Sequence, residues 1–221
     1  MSTIILVHGA FHGGWCFEPL VPELAARGID AVAPDLPLTS LLDDAAAVTE
    51  VLDRADGPVT LLGHSYGGAV VTVAGTHPAV ERLVYLTAMA PDDGEPASSG
   101  PVEIGEEFLA AFRMTPAGLP EVDPARATDI FYPDAEPTAA AAFAALLRPG
   151  AVGGADLVER AAWHDKPATY VVCDADPILL PHAQRAIAAR IGATVVEMSG
   201  DHSPFLARPA ELAALLAAAM P

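Results

Sequence analysis

Only two cysteines stand in the 221 residues, Cys16 and Cys173, and neither falls in a C-x-x-C or Cys/His spacing. A disulfide scaffold and a thiolate metal site are therefore not expected; two small buried thiols in a reducing compartment are. Basic side chains are scarce as well, eleven Lys and Arg against 29 Asp and Glu, for a formal net charge of −18. A surface of that sign repels phosphate backbones and anionic lipid, so neither nucleic acid nor a membrane is an expected partner. Long apolar runs are missing too. The longest, Ala139–Leu147 and Leu212–Met220, have nine residues each, well short of the roughly 20 a membrane helix needs. The start, Met1-Ser2-Thr3-Ile4, has no basic leader, and His8-Gly9 cut the apolar stretch after Val7, so a cytoplasmic chain is expected. Neither G-x-G-x-x-G nor Gly-Lys-Ser/Thr occurs, which removes the usual phosphate cradles. No cofactor and no metal are expected.

What is present is core-forming material: 52% hydrophobic and 18% charged residues, with a mean hydropathy of +0.36. Short apolar runs at Thr3–Val7, Ile29–Ala33, Val59–Leu62, Arg82–Thr87, Ala168–Cys173 and Thr194–Met198 read as strands. Helical spacing lies between them over Glu18–Arg27, Ser40–Ala55, Gly67–His77, Pro181–Ile191 and Pro209–Met220. Gly28 and Gly192 stand where left-handed C-caps are needed, and Ser40 can cap a helix whose first turn holds Asp43 and Asp44. Such alternation predicts an α/β fold, a mostly parallel six-stranded sheet flanked by helices. The rhythm breaks over 91–165, which opens on Pro, Gly, Ser and acidic residues. Helical patches follow near Val102–Phe112, Thr138–Leu147 and Asp156–Trp163. Residues 91–165 are read as a helical cap inserted into a core of 1–90 and 166–221.

Gly63-His64-Ser65-Tyr66-Gly67 matches G-x-S-x-G. The bare pattern is weak, but a strand precedes it and a small-residue helix follows. A nucleophile elbow needs that context, because strand and helix must pack closely around a sharp turn. A serine hydroxyl is a poor nucleophile unless a base takes its proton. In the chain order nucleophile, acid, base, His202 after the last strand is the expected base. Of the other histidines, His8 and His12 are expected to orient the first loop and His64 lies inside the elbow. His77, His164 and His182 read as surface or pocket-rim residues. The acid orienting His202 should follow the preceding strand, where Asp174 and Asp176 both stand. Asp176 has the better reach; Asp174, Asp92 and Asp93 are the alternatives. Two backbone donors should hold the oxyanion. They are the amide of Tyr66 and one from the loop His8-Gly9-Ala10-Phe11-His12-Gly13-Gly14, with Ala10 preferred to Phe11. Pocket walls are expected from Phe11, Phe131 and Trp163, with Phe108, Phe112, Tyr132 and Phe143 as further cap aromatics. Trp15 reads as packing under the first loop.

Four segments taken together resemble the α/β-hydrolase superfamily, in its small family of methylesterases and hydroxynitrile lyases with bacterial esterase relatives. They are Val7–Trp15, Leu62–Gly68, Val171–Asp176 with Pro181 and Gln184 beyond, and Gly200-Asp201-His202. The resemblance fades in the cap, where Phe131-Tyr132 and Leu147-Arg148-Pro149 look like family remnants. It implies an α/β-hydrolase fold, a triad of Ser65, Asp176 and His202, and an oxyanion hole at Ala10 and Tyr66. Cyanohydrin-cleaving members carry threonine and lysine where Gly9 and Ser203 stand here, so the resemblance favours an ester hydrolase. The expected partner is a small-molecule ester, with a homodimer left open. A lyase or C–C bond-cleaving enzyme on the same triad, or a non-catalytic small-molecule binder, are the competing readings.

Overall fold

The computed structural model describes residues 2–150 and 154–220. The ends of the expected core, Met1 and Pro221, and residues 151–153 of the expected cap lie outside the described residues. In chain order the elements are β1 (Ser2–Val7), α1 (Val21–Ala25), β2 (Ile29–Val32), α2 (Leu41–Leu52), β3 (Val59–His64), α3 (Gly67–Ala74) and β4 (Val80–Leu86). The inserted region follows with α4 (Glu106–Leu109), β5 (Phe112–Met114), β6 (Pro120–Val122), α5 (Ala127–Phe131) and α6 (Pro137–Ala144). The chain closes with β7 (Ala168–Cys173), α7 (Pro181–Arg190), β8 (Thr194–Met198), α8 (Pro204–Ala207) and α9 (Pro209–Ala219).

Six strands form one sheet in the order β2-β1-β3-β4-β7-β8, and every pairing in it is parallel. The period of two along each strand divides the core in two. Ile5, Val7, Leu61, Leu83, Tyr85 and Val172 face a layer that includes residues of α2, α3 and α7. Ile4, Leu6, Leu62, Val84, Leu86 and Val171 face one that includes residues of α1, α5 and α9. Each fully buried Leu or Val contributes roughly 1.5–3 kcal/mol, so the central strands could not be exchanged for polar ones. The Ser40 hydroxyl accepts from the Asp43 amide at 3.1 Å, capping α2 as its position suggested. Among the described residues no helix is long and apolar enough to cross a membrane.

The expected elements survive with shifted limits, and the departures have local causes. Glu18–Arg27 is not one helix: a 3-10 turn at Gly14–Phe17 precedes the short α1, with a proline at its start. In the inserted region, the helix expected over Val102–Phe112 contracts to α4. The chain before it is extended, Ile104 bridging Leu179 and the Gly105 amide donating to Ile178 O at 2.8 Å, and only glycine fits at 105 because Pro177 O would lie 2.0 Å from any Cβ there. Phe112 instead opens an antiparallel hairpin, β5 to β6, around a turn with Gly118 at φ 78°. The patch expected over Asp156–Trp163 is largely irregular, with Leu157 bridged to Pro96 and only Ala162–His164 helical. Both cysteines are free and buried.

Candidate active site

The strand order reverses at β1: the chain leaves it for β2 on one side and returns to β3 on the other. In an open parallel sheet the loops diverge at the carboxyl ends of such strands, leaving a crevice. The loop after β1 and the elbow after β3 meet there. Gly63, Gly67 and Gly68 let the elbow close. A Cβ at Gly63 would lie 2.4 Å from the Gly67 oxygen, one at Gly67 2.5 Å from the Val7 oxygen, and one at Gly68 2.2 Å from the Met89 oxygen. Ser65 occupies left-handed backbone geometry, φ 55°. Four described non-glycine residues have positive φ, and three of them, Phe11 (66°), Ser65 and Thr87 (41°), border this site. Strain of about 1–3 kcal/mol each persists only where the surroundings enforce it.

His202 lies beside the elbow. Its ring centroid is 4.7 Å from that of His64, and its carbonyl accepts from His64 Nε2 at 2.8 Å. The Nδ1 of His202 is 2.7 Å from Asp176 Oδ2. A carboxylate accepts, so Nδ1 carries the proton and Nε2 keeps a free lone pair for work as a base. Asp176 is itself fixed. Its Oδ1 accepts from the amides of Ile178 and Leu179 at 2.7 and 3.1 Å, and its Oδ2 from Gln184 Nε2 at 3.0 Å and from the Thr87 hydroxyl. Asp174 instead takes the Ser199 hydroxyl and the Gly200 amide, both at 3.1 Å. Asp92 and Asp93 bond His164 and the Ala161 amide. Of the carboxylates weighed from the sequence, Asp176 is the one bonded to His202.

The carbonyls of the loop after β1 are held one by one. Gly9 O accepts from His8 Nδ1 and Ala10 O from His12 Nδ1, each at 2.8 Å. Phe11 O accepts from the Arg148 amide at 2.9 Å, and His12 O from Arg148 Nε at 3.3 Å. In a trans peptide the N–H opposes the C=O, so fixing Gly9 O against His8 turns the Ala10 N–H the other way. Likewise Ser65 O accepts from Gly68 and Met89 amides at 3.0 and 3.1 Å, which orients the Ser65–Tyr66 peptide. The Tyr66 hydroxyl donates to Asp44 Oδ2 at 2.7 Å, and Asp44 Oδ1 accepts from the Leu38 amide at 2.7 Å.

These bonds also fix tautomers. His8 Nδ1 donates, so its Nε2 accepts from the Leu36 amide at 2.9 Å. His12 Nδ1 donates, so its Nε2 accepts from the Tyr132 hydroxyl at 2.8 Å. Burial holds both rings neutral, lowering His8 to about 4 and His12 to about 3, and it lowers His64 strongly as well. Burial raises the carboxyls of Asp44 and Asp201. Asp201 accepts from the amides of Asp134 and Ser203 at 3.0 and 2.8 Å, fastening the His202 loop to the inserted region.

A cavity of about 170 Å³ opens over Ser65. Ala10, Tyr66, Phe11, Met89, Ile104, Phe108, Phe112, Ile178 and Leu179 are among its walls, and no described wall residue is charged. Of the pocket residues named from sequence, Phe11 lines it. Phe131 does not: it is buried behind, its ring 5.7 Å from Phe108 and 6.5 Å from Phe11. Trp163 does not either; its Nε1 donates to Pro91 O at 3.0 Å and its ring packs on the core. Sequence reasoning passed over Met89 and Ile104 in the walls, Thr87 at Asp176 and Asp44 at Tyr66. A polar residue at a strand's carboxyl end was the available signal for Thr87. Asp44 was visible only as a helix-dipole acid.

Residues 4–215 match the alpha/beta hydrolase family. The chain is 27% identical to a carbendazim hydrolyzing esterase of Nocardioides, over 99% of both chains. It is 29% identical to salicylic acid-binding protein 2 of Nicotiana tabacum, over 96% of this chain and 94% of that one. Among solved structures, a pyrethroid hydrolase from Sphingobium faniae superposes with a TM-score of 0.81 at 25% identity, over 98% of this chain and 96% of that one. Polyneuridine aldehyde esterase does so at 0.82 and 22% over 98% of both, a likeness of fold.

Proposed function

This chain belongs to the alpha/beta hydrolase family, and on that premise we propose that it hydrolyses a small, neutral carboxylic ester through an acyl-enzyme on Ser65. One observation carries the reading. Ser65, strained at φ 55°, lines a cavity with no charge among its described walls, and the histidine that packs on its neighbour His64 has its Nδ1 tied at 2.7 Å to a buried carboxylate. Ser65 Oγ attacks the carbonyl carbon while His202 Nε2 accepts its proton. Asp176 stabilises the imidazolium without taking the proton. The carbonyl oxygen becomes an oxyanion held by the amides of Ala10 and Tyr66, donors already oriented before charge develops. The tetrahedral adduct collapses, the C–O bond to the alcohol breaks, and His202 returns the proton to the departing oxygen. Water, deprotonated by His202, then releases the acid and restores Ser65.

Support comes from relatives named as esterases: the carbendazim hydrolyzing esterase at 27% identity, and from Arabidopsis thaliana methylesterase 1 at 26% over 94% of this chain and methylesterase 3 at 31% over 40% of it. The absence of charge from the described cavity walls favours a neutral, apolar acyl group, because an ionised one would lose hydration with no partner to replace it. The test is Ser65→Ala assayed on p-nitrophenyl acetate, with fluorophosphonate labelling of both proteins. The expected outcome is a loss of about 10⁶ in turnover and label on wild type alone. A Ser65→Ala protein that keeps near-full activity overturns the reading.

A further inference from the structure

Among the described residues Arg148 hydrogen-bonds no carboxylate, and Asp44 feels its charge only at a distance. In a chain with 29 acidic residues, no ion pair among the described residues includes it. Its donors go to core backbone instead. The amide reaches Phe11 O at 2.9 Å, Nε reaches His12 O at 3.3 Å, and Nη2 reaches Leu36 O at 2.5 Å. The first two carbonyls belong to the loop that carries Ala10. The third belongs to a residue whose own amide donates to His8 Nε2, and His8 Nδ1 in turn holds Gly9 O. One guanidinium thus reaches the Gly9–Ala10 peptide by a relay through Leu36 and His8, and grips the far side of the same loop directly.

The loop needs such a grip. Phe11 stands at φ 66°, a conformation an L residue leaves unless held. Relaxation there would swing the peptides on either side of Phe11, loosen the Ala10 O to His12 bond, and so free the residue whose amide is the oxyanion donor to turn. Gly150, two residues after Arg148, also packs tightly on this side: a Cβ there would lie 2.7 Å from Leu38 Cβ.

We propose that Arg148 is a positioning residue for the oxyanion loop, the link by which the inserted region holds the Ala10 donor in register with Ser65. This rests on the esterase reading above. Arg148 touches neither the cavity over Ser65 nor the triad, so its loss should act on the transition state and leave ground-state binding alone. Deleting an oxyanion donor costs about 10²–10³ in turnover, and misplacing one costs less.

The experiment compares wild type with Arg148→Met and Arg148→Lys on p-nitrophenyl acetate, with thermal unfolding in parallel. It also measures inhibition by an apolar trifluoromethyl ketone, whose adduct with Ser65 carries the oxyanion. For Arg148→Met the expected result is a fall in kcat of about 10- to 100-fold with KM within threefold, and a rise in inhibitor constant by the same factor. Arg148→Lys, able to reach one carbonyl but not to fork across two, should recover part of both. The proposal is overturned by kcat within twofold of wild type, by a rise confined to KM, or by activity lost only in proportion to the unfolded fraction. Fluorophosphonate labelling separates the two claims. An unlabelled wild type sinks the serine-esterase reading; a labelled wild type with Arg148→Met labelled equally fast sinks the role of Arg148 alone.

Discussion

Acid should weaken this fold through His12, and the size of the effect follows from its surroundings. His12 is buried, donates from Nδ1 to Ala10 O and accepts at Nε2 from Tyr132. Complete burial denies a protonated ring its hydration, and the His8 and His202 rings nearby add to the effect, which is why the folded value lies at about 3 and not at 6.5. The folded value is depressed below the unfolded one. Above pH 6.5 both states are therefore neutral at this residue and the contribution is whole. As pH falls below 6.5 the unfolded chain binds a proton that the native chain refuses, so stability drains until the folded ring titrates near 3. The slope in that window is about 1.4 kcal/mol per pH unit per histidine. From pH 7.5 to pH 5 the His12 contribution falls by about 2 kcal/mol.

The acidic surface, Asp44, Asp201, His8 and His64 all titrate in the same experiment, so the comparison must be internal. Urea unfolding of wild type and His12→Asn at both pH values supplies it. Asparagine can keep the donor to Ala10 O and has nothing to titrate. Wild type should lose about 2 kcal/mol more than the variant over that range, a relative midpoint shift of roughly 1 M urea. Parallel pH profiles for the two proteins would refute the reasoning, whatever the absolute stability of either.

Two further outcomes follow from single contacts. Phe112 is the one aromatic wall of the cavity that stays substantially exposed, 40% against 9% for Phe108 and 1% for Phe11. Phe112→Ala should therefore raise kcat/KM for octanoyl relative to acetyl p-nitrophenyl esters by about tenfold, within the range a hydrophobic pocket discriminates. Met114→Ala on the same hairpin should leave the ratio unchanged; equal ratios in all three proteins would rule the wall out. Thr87→Val removes the hydroxyl donor from Asp176 while keeping shape. It should lower kcat by about tenfold, the equivalent of one net hydrogen bond to a charged group, with Tm lowered by a few degrees; unchanged kcat would show that the amides of Ile178 and Leu179 with Gln184 suffice to hold the carboxylate.

The core was legible from sequence because its signals are local and agree with one another. Apolar runs of strand length, the caps at Ser40, Gly28 and Gly192, and the glycines around Ser65 each state a backbone requirement that neighbouring residues repeat. The bond between Asp176 and His202 was legible for another reason: a parallel sheet delivers every strand's carboxyl end to one edge, so chain order alone brings those loops together. The inserted region had no such frame. Whether the helix reaches back to Val102 is decided by the distant residues Ile178 and Leu179, which hold Ile104 and Gly105 extended, and whether Phe112 pairs with Val122 by the turn at Gly118. The aromatics divide for the same reason. Phe11 could be placed in the cavity because it shares a loop with Ala10, whereas Phe131 and Phe112 look alike in sequence and both pack on Phe108, yet only Phe112 lines the cavity while Phe131 is buried. Arg148 shows how far this extends. Leu147-Arg148-Pro149 could be read as a remnant of the family pattern, but nothing in it tells what the arginine binds, because its three carbonyl partners come from two other loops. Residues that act through backbone geometry, here Arg148 and His8, leave weaker marks than those that do the chemistry, because a carbonyl is present at every position and names no partner.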